Sequence, residues 1–463
     1  MAFRESAKAI QTLGTKPILG LPRLQLQCLS GPSTQQFRSI WISSTSPNPL
    51  KRRARSSHLG CINVAIRYQS SSVSPSSESQ KLPPEQQASY DRLRPIIDTF
   101  EAPIDWAVAY GSGVMKQAQV KPGDPTPMTD LLISTPLAAD FHDVNLRQNP
   151  GHYPLYARLM GGAGIGWAQE KFGAGIWYVT MVEVNGISVK YGVISTSTLV
   201  SDLTNWDTLY ISGRLHKPVL SLISPPTPSP PVSSSSAEPS LLPPLDEAIR
   251  SNHRSALALS LLLCPGQFTE NYLWEKIAGL SYSGDPRMSV PGAENPEKVK
   301  NIVRGPGTRE GFREMYKPYF DEMGVRAVGG DEKAGSSGTW QDDGEGLLTQ
   351  STSPEHHAIL FASLPINLRK AVSAHYQIPV DQLNTSTSTE ADADKAMRKE
   401  AELWMQPIQG QDFRPIVAQE LKKIIHSPAL RQSIKGLFTA GPVKSFYYSL
   451  AKFRKWLKSR SKT

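Results

Sequence analysis

Residues Gly111, Ser112 and Gly113 end a run of β-forming residues, 105–110, in a corner where chemistry is possible. The alternating pattern of that run predicts a buried strand. Two glycines around a serine leave backbone N–H groups open to a ligand, because no Cβ atom blocks its approach. The corner therefore offers the donors that a phosphate needs. The same three residues would also form a simple tight turn.

A second predicted strand, residues 127–134, follows a polar loop and carries Asp130. A carboxylate close to a phosphate-binding corner is a suitable ligand for Mg²⁺. Transfer of a phosphoryl or nucleotidyl group needs donors on the leaving phosphates and cations facing the reacting phosphorus. We therefore predict that Asp130 is catalytic and binds Mg²⁺; the alternative is a surface carboxylate at a strand end.

This order of elements resembles the nucleotidyltransferase superfamily of DNA polymerase β, in which a Gly-Ser corner grips the triphosphate. Members usually offer two carboxylates at alternate positions of one strand, whereas Met128 and Leu132 flank Asp130 here. A second metal ligand must then come from elsewhere. The candidates are Glu183, Asp202 and Asp207. We take Asp202 as the second catalytic and metal-binding residue, against the alternative that it caps or lines its own helix.

The elements that position these residues follow from hydrophobic patterns. Residues 176–195 predict a hairpin that turns at Asn185-Gly186, and residues from 196 onward predict a helix. Residues 223–244 are a Pro/Ser-rich insert, and 327–352 a polar, Gly-rich insert that we expect to be disordered. Helical patterns dominate the remainder of 245–430. The glycines of residues 161–166 lack dinucleotide-binding spacing and predict a loop or a close helix contact.

The net charge of +9 is concentrated at the N-terminus. Residues 1–77 contain ten Lys/Arg and one acid, so the remainder carries 40 basic and 40 acidic residues. A serine-rich, basic and acid-poor segment is typical of a mitochondrial transit peptide, here predicted over residues 1–80; the alternative is a disordered basic tail. A neutral body argues against an enzyme that acts on nucleic acid, because such an enzyme needs a basic groove. The three cysteines form neither a disulfide framework nor a zinc motif.

The C-terminal residues predict a membrane-binding helix. Phe446, Leu450 and Phe453 recur at helical spacing, and Trp456 lies beside them. Residues 444–463 also contain seven basic residues and no acid. A helix with an apolar face and a cationic face lies in the headgroup plane of an anionic bilayer. The alternative is a basic helix packed on the body.

Six motifs in one order carry a longer resemblance. They begin at Tyr110 (YGSGV), Pro127 (PMTDLLIS), Phe172 (FGAGIWYVTMVEVNGISVKYGVIS), Asp202 (DLTNWDTLYISGRLHKPV), Ile277 (IAGLSYSGDPRM) and Ser433 (SIKGLFTAG). Together they closely resemble the mitochondrial phosphatidate cytidylyltransferase family, known also as translocator assembly and maintenance proteins. The resemblance covers 90–220, 245–325 and most of 350–450, and excludes the transit segment and both inserts.

The resemblance implies an α+β fold: a nucleotidyltransferase domain (85–222), then a helical, winged-helix-like domain (245–430) and a C-terminal amphipathic helix (431–463). It implies the conversion of CTP and phosphatidic acid into CDP-diacylglycerol and pyrophosphate, for cardiolipin synthesis. The enzyme would be peripheral on the matrix side of the mitochondrial inner membrane, bound to anionic lipids and not to nucleic acid. A non-catalytic matrix protein that supports assembly of the inner-membrane protein translocase is the alternative.

Four basic residues are assigned on this basis. Lys190, in an otherwise apolar strand, is expected to contact the nucleotide together with residues 111–113; a snorkelling lysine is the alternative. Arg214, Lys217 and Arg287 are expected to receive the lipid phosphate. A solvated basic face would explain Arg214 and Lys217 equally well. The alternative for Arg287 is similar, with Asp285 as its structural ion-pair partner.

Overall fold

A five-stranded mixed sheet positions the residues of the corner. Its strands are β1 (Trp106–Tyr110), β2 (Thr129–Thr135), β3 (Ile176–Val184), β4 (Ile187–Ser195) and β5 (Leu220–Ile223). The spatial order is β3-β4-β2-β1-β5, with β2 and β4 parallel and all other neighbours antiparallel. The central strands β1 and β2 are buried along nearly their whole length, as expected of strands covered on both faces.

The computed structural model describes residues 83–112, 114, 128–226, 243–289, 297–328, 343–383, 390–410 and 412–440. All of these residues belong to one compact unit. Several predictions fall outside them: the transit segment, most of the Pro/Ser-rich insert, Gly113, and the membrane-binding residues Phe446, Leu450, Phe453 and Trp456.

Helices cover both faces of the sheet. They are α1 (Pro84–Ile97), α2 (Ala138–Gln148), α3 (Leu155–Lys171) and α4 (Thr196–Asn205). One hydrophobic core joins α1, α2 and α3 to one face, and a second core joins α4 to the other. The predicted hairpin of β3 and β4 is confirmed, and its turn residues Asn185 and Gly186 have φ values of 49° and 75°.

The glycine-rich residues 161–166 lie within α3 and provide a close helix contact. A Cβ atom on Gly162 would lie 2.5 Å from the carbonyl oxygen of Ala139 in α2. One on Gly166 would lie 2.9 Å from the Cα of the same residue. The glycines therefore let two helix backbones approach each other, in agreement with one of the two readings of this stretch.

The rest of the described chain is mainly helical. The helices are α5 (Leu245–Leu263), α6 (Glu270–Gly279), α7 (Lys298–Val303), α8 (Thr308–Tyr316), α9 (Pro354–Ala362), α10 (Ile366–Ser373), α11 (Glu390–Gly410) and α12 (Arg414–Ala440). A small antiparallel sheet joins β6 (Gln267–Thr269), β7 (Arg326–Ala327) and β8 (Leu347–Thr349) in the order β6-β8-β7. The predicted α+β class is thus confirmed. None of the described helices combines the length and the apolarity that crossing a bilayer requires.

The interpretation of 327–352 as a disordered insert is wrong for its last part. Residues Leu347–Thr349 form β8 between β6 and β7, and the Leu348 side chain is buried. The strand was missed because its three residues follow a polar, glycine-rich stretch, which gives too short a pattern to detect.

The predicted boundary between residues 430 and 431 is also wrong. Helix α12 runs across it without a break to Ala440. Gln432 is buried and donates to the carbonyl oxygen of Ile176 in β3, and Lys435 donates to that of Gln169 in α3. Residues 431–440 therefore pack on the sheet and its helices instead of starting a separate segment.

Candidate active site

The sheet register places three chemically distinct side chains in one row. Tyr110 of β1 lies opposite Asp130 of β2, which in turn lies opposite Lys190 of β4. Directly opposed residues on neighbouring strands point to the same face. The Lys190 ammonium donates to Asp130 Oδ1 at 3.0 Å, and both side chains are about one quarter exposed. Two residues predicted separately from sequence are therefore direct partners.

The glycine-serine corner lies against the same carboxylate. Gly111 has a φ of 79°, a conformation that side chains rarely adopt. A Cβ atom there would also lie 3.2 Å from Asp130 Oδ2. Glycine is thus favoured at this position both by backbone geometry and by the nearness of Asp130. Ser112, the next residue, lines the adjoining cavity.

A cavity of about 230 Å³ opens in front of this row. It brings together seven of the predicted site residues: Gly111, Ser112, Asp130, Lys190, Arg214, Lys217 and Arg287. Ile425 and Ala429 of α12 also line it. The sheet, the segment after α4 and the helical part of the chain therefore contribute to one site.

The cavity wall is strongly cationic. Among the described residues, five basic side chains but only two carboxylates line it. Both carboxylates are paired, Asp130 with Lys190 and Asp285 with Arg287. Arg214, Lys217 and Lys298 add further positive charge, so the cavity favours an anionic ligand.

The ionisation of Tyr210 reflects this positive potential. Burial disfavours the phenolate, yet the pKa of Tyr210 is lowered because the charges of Arg214, Arg287 and Lys190 outweigh that effect. The Arg214 guanidinium lies 4.1 Å from the centre of the Tyr210 ring. Burial raises the pKa of Tyr110, by contrast, with a further increase from Asp130. The cationic region is therefore centred on the Arg214 side of the cavity.

Lys217 is unusual among the cations. Burial, followed by the charges of Arg214 and Lys298, lowers its pKa to about 7. Its ammonium donates to the Gly213 carbonyl at 2.5 Å and to Ser281 Oγ at 3.2 Å. An anion bound beside Lys217 would favour the charged form and raise its pKa again.

Arg287 is held in place by Asp285, which agrees with the ion-pair alternative given for this residue. Its Nε donates to both carboxylate oxygens, at 2.9 and 3.1 Å, and one terminal nitrogen donates at 2.5 Å. Burial opposes the charge on Arg287, but the hydrogen bonds and charge of Asp285 raise its pKa overall. This paired geometry orients one face of the guanidinium and leaves Asp285 committed to it.

Asp202 does not join the site, contrary to the prediction. It is buried, and its two oxygens accept hydrogen bonds from the backbone N–H groups of residues 208, 209, 211 and 212 and from the hydroxyls of Thr208 and Ser212. A carboxylate with this many donors has no lone pair left for a metal ion. Asp202 instead shapes the loop that leads to Tyr210 and Arg214.

The other proposed second ligands also lie elsewhere. Glu183 is exposed on the hairpin, and Asp207 accepts hydrogen bonds from Ser201 and Asn367. Within the described part of the chain, no group of three or more His, Cys, Asp or Glu side chains is arranged to hold a metal ion. Asp130 therefore stands as the one described carboxylate of the cavity that is not committed to an arginine.

The sequence reasoning missed several lining residues. Tyr210, Tyr282, Lys298 and Thr308 all contribute to the cavity. The centre of the Tyr282 ring lies 5.2 Å from the Lys217 ammonium and 5.3 Å from that of Lys298, so the ring contacts both cations. Tyr210 and Tyr282 lie inside two of the six motifs, and that position was the sequence signal that could have identified them. No motif contains Lys298 or Thr308.

A glycine-serine corner, an adjacent carboxylate and a wall of cations define an enzyme-type site for phosphate-bearing ligands. The comparisons with known proteins agree with that class. Residues 93–455 match the family model described as mitochondrial phosphatidate cytidylyltransferase. The chain belongs to this family.

Individual relatives are similar over most of their length. The mitochondrial phosphatidate cytidylyltransferase of Schizosaccharomyces pombe is 35% identical over 387 residues, which cover 83% of this chain and 88% of that protein. The Mus musculus protein of the same name is 33% identical, and the match covers 79% of this chain and 94% of that protein. The Caenorhabditis elegans protein is 33% identical, with 80% of this chain and 100% of the relative covered.

We predict that Asp202→Asn lowers the free energy of unfolding by about 3 kcal/mol, because the amide NH2 replaces an accepting oxygen and faces donors that then remain buried and unpaired. The matched control is Asp207→Asn, an exposed change expected to stay within about 0.5 kcal/mol. Chemical denaturation of both variants measures the difference. Equal stability of Asp202→Asn and the unchanged protein would contradict the structural role of Asp202.

Proposed function

We propose that this chain is a phosphatidate cytidylyltransferase that makes CDP-diacylglycerol and pyrophosphate from CTP and phosphatidic acid. Family membership supports the proposal, since the relatives carry that name. The observation that carries it is the composition of the cavity. Donors from the sheet (Gly111, Ser112, Lys190) and cations from later segments (Arg214, Arg287) meet around Asp130. Such an arrangement suits a reaction in which both substrates bear phosphate.

The proposal includes the finer description of the fold. A strand, a Gly-Ser corner and a second strand bearing a carboxylate support a nucleotidyltransferase domain of the DNA polymerase β type. The later helices and the small antiparallel sheet of β6, β7 and β8 support a winged-helix-like second domain.

Mg²⁺ is the proposed cofactor, and the donor set is compatible with it. Mg²⁺ usually binds one or two carboxylates and takes its other ligands from substrate phosphates and water. Asp130 would hold it, because it is partly exposed in the cavity and close to the corner. When bound, the ion neutralises charge on the phosphates. The second protein ligand predicted from sequence is not needed for this binding mode.

The roles of the protein groups follow from their positions. Ser112 and the backbone at the corner would donate to the triphosphate, and Lys190 would exchange its partner Asp130 for phosphate oxygens. Arg214, Lys217 and Arg287 would hold the phosphate of phosphatidic acid. An oxygen of that phosphate then attacks the α-phosphorus of CTP, a new P–O bond forms, and the bond to the departing pyrophosphate breaks. Arginine and lysine charges offset the negative charge of the two approaching phosphates.

The alternative functions are less well supported. A non-catalytic assembly protein would not require a carboxylate, a left-handed glycine corner and five cations around one cavity. A nucleic-acid polymerase of the same fold would need a long basic groove. The cations described here are instead gathered in a cavity, which suits small or single-headgroup anions.

A mitochondrial location is supported by the names of the relatives. We propose a peripheral association with the matrix side of the inner membrane, where the product would serve cardiolipin synthesis. The acid-poor N-terminal segment and the basic, aromatic C-terminal segment support this location from sequence. Anionic lipids would be the membrane partners.

Asp130→Asn tests the chemistry. The change preserves the shape of the side chain but removes its charge, so turnover of CTP and phosphatidate should fall by about 100-fold or more while the protein stays folded. CDP-diacylglycerol formation by the purified mature protein is the measurement, with Asp207→Asn as the control carboxylate. Near-normal turnover by Asp130→Asn at ordinary Mg²⁺ concentration would contradict the assignment.

Gly111→Ala and Ser112→Ala test the corner. Loss of the serine donor should lower kcat/KM for CTP about tenfold. Gly111→Ala should cost more, because its methyl group would press on Asp130 as well as strain the backbone. Gly186→Ala is the matched control, since its φ of 75° imposes similar strain with nothing within 4 Å of the new Cβ. If Gly111→Ala and Gly186→Ala leave CTP turnover equally intact, the corner is only a turn.

The lowered pKa of Lys217 leads us to predict that the KM for phosphatidate depends on pH. Since its pKa is lowered to about 7, the ammonium is present below that pH and lost above it. KM for phosphatidate should therefore rise with pH in the unchanged protein, while Lys217→Arg keeps its charge. Both KM values are measured from about pH 6 to about pH 9. The ionisation of phosphatidate affects both proteins equally, so its effect cancels in the ratio of the two KM values. A ratio that does not vary with pH would show that Lys217 does not bind the substrate as a cation.

A further inference from the structure

A group of large apolar side chains is exposed on α3 and on the last turns of α12. Each of the following is more than half exposed: Leu155, Leu159, Trp167, Phe172, Leu437 and Phe438. We name this group the α3–α12 apolar face. Isolated exposed apolar residues are common on soluble proteins, whereas a concentrated group marks a surface that contacts a membrane or a partner.

Contacts between the two helices make the face continuous. The Tyr156 hydroxyl donates to the carbonyl oxygen of Phe438 at 2.6 Å. The Lys435 ammonium donates to the carbonyl oxygen of Phe172 at 2.5 Å. The rings of Trp167 and Phe172 lie edge to face, with centroids 5.4 Å apart. The two ends of α3 are therefore joined through the end of α12.

The charges around the face favour an anionic surface as its partner. Residues 155–169 and 430–440 contain no acid; Arg158 and Arg431 are exposed within them, and exposed Lys171 lies just after the first range. Glu170 is held by hydrogen bonds from Ser195 and Thr198. The chain that follows α12, residues 441–463, adds seven basic residues and again no acid. Apolar side chains bordered by cations are typical of protein surfaces that bind anionic bilayers.

The face is also close to the cavity along a single helix. Ile425 and Ala429 of α12 line the cavity, and Leu437 follows Ala429 by eight residues. At 1.5 Å per residue, this separation is about 12 Å along the helix axis. A bilayer in contact with the face would therefore lie near a cavity that binds a lipid headgroup.

We propose that the α3–α12 apolar face docks the body of the protein onto an anionic phospholipid bilayer, independently of residues 444–463. The proposal rests on the proposed function, since a diacyl substrate resides in a bilayer. Docking would place α12 against the membrane and shorten the path of the phosphatidate headgroup to Arg214, Lys217 and Arg287.

The test is flotation of the mature full-length protein with two kinds of phosphatidylcholine vesicle. One kind contains cardiolipin as one part in five of its lipid, and the other contains no cardiolipin. The double variant Leu159→Glu/Leu437→Glu should lower binding to the cardiolipin vesicles about tenfold or more, because two exposed apolar contacts are replaced by charges that the bilayer repels. The matched control is Val380→Glu, which changes an apolar residue that is 48% exposed and lies outside the face. Turnover of a short-chain, water-soluble phosphatidate should be the same in all three proteins.

A second measurement identifies what covers the face. Brominated phosphatidylcholine should quench tryptophan fluorescence less in Trp167→Phe than in the unchanged protein. Equal quenching, or vesicle binding unaffected by the double variant, would overturn the proposal. If the double variant instead changes the sedimentation of the protein without vesicles, the face joins two copies of the chain and the proposal is also wrong. Failure of the unchanged protein to turn over the soluble phosphatidate would overturn the proposed function separately.

Discussion

The pairing of β2 with β4 is the constraint on which the site depends. This parallel register puts Asp130 opposite Lys190, and the antiparallel register of β1 puts the glycine-serine corner beside the same carboxylate. The resulting ion pair is partly exposed and contributes about 1 kcal/mol or less to stability. The sheet therefore holds the pair together, and under the proposed function the pair would exchange partners when a phosphate binds.

The cationic wall depends on a different constraint, the buried carboxylate of Asp202. Its six hydrogen bonds fix residues 208–212, in which Leu209 adopts a left-handed backbone conformation, as does Trp206 just before this segment. Such conformations are costly for residues other than glycine and persist only where surrounding contacts enforce them. Asp202 provides those contacts, so Arg214 and Tyr210 reach the cavity from a rigid loop. A residue predicted to bind metal thus helps to shape the cationic wall of the cavity.

The sequence allowed the sheet part of the site to be predicted because its signals are local. Alternation identified β1, an apolar run after a polar loop identified β2, and Asn185-Gly186 identified the hairpin that brings Lys190 to the row. The incorrect or missing predictions share one physical cause: each depends on contacts between segments that are distant in the sequence. The partners of Asp202 lie in a loop whose conformation no propensity describes, and Lys298 reaches the cavity only through packing of distant helices. The continuity of α12 past residue 430 was hidden because Gln432 and Lys435 are polar residues in buried positions.

On the proposed function, the cavity residues from the sheet and those from later segments together serve transfer of the cytidylyl group of CTP, with its α-phosphorus, to a lipid phosphate. The most direct test supplies the purified mature protein with phosphatidate and CTP that is radiolabelled at either the α- or the γ-phosphate. The account predicts that the α label enters the organic phase as CDP-diacylglycerol, while the γ label remains in water as pyrophosphate. The account would be contradicted if neither label entered the lipid, or if the γ label entered it.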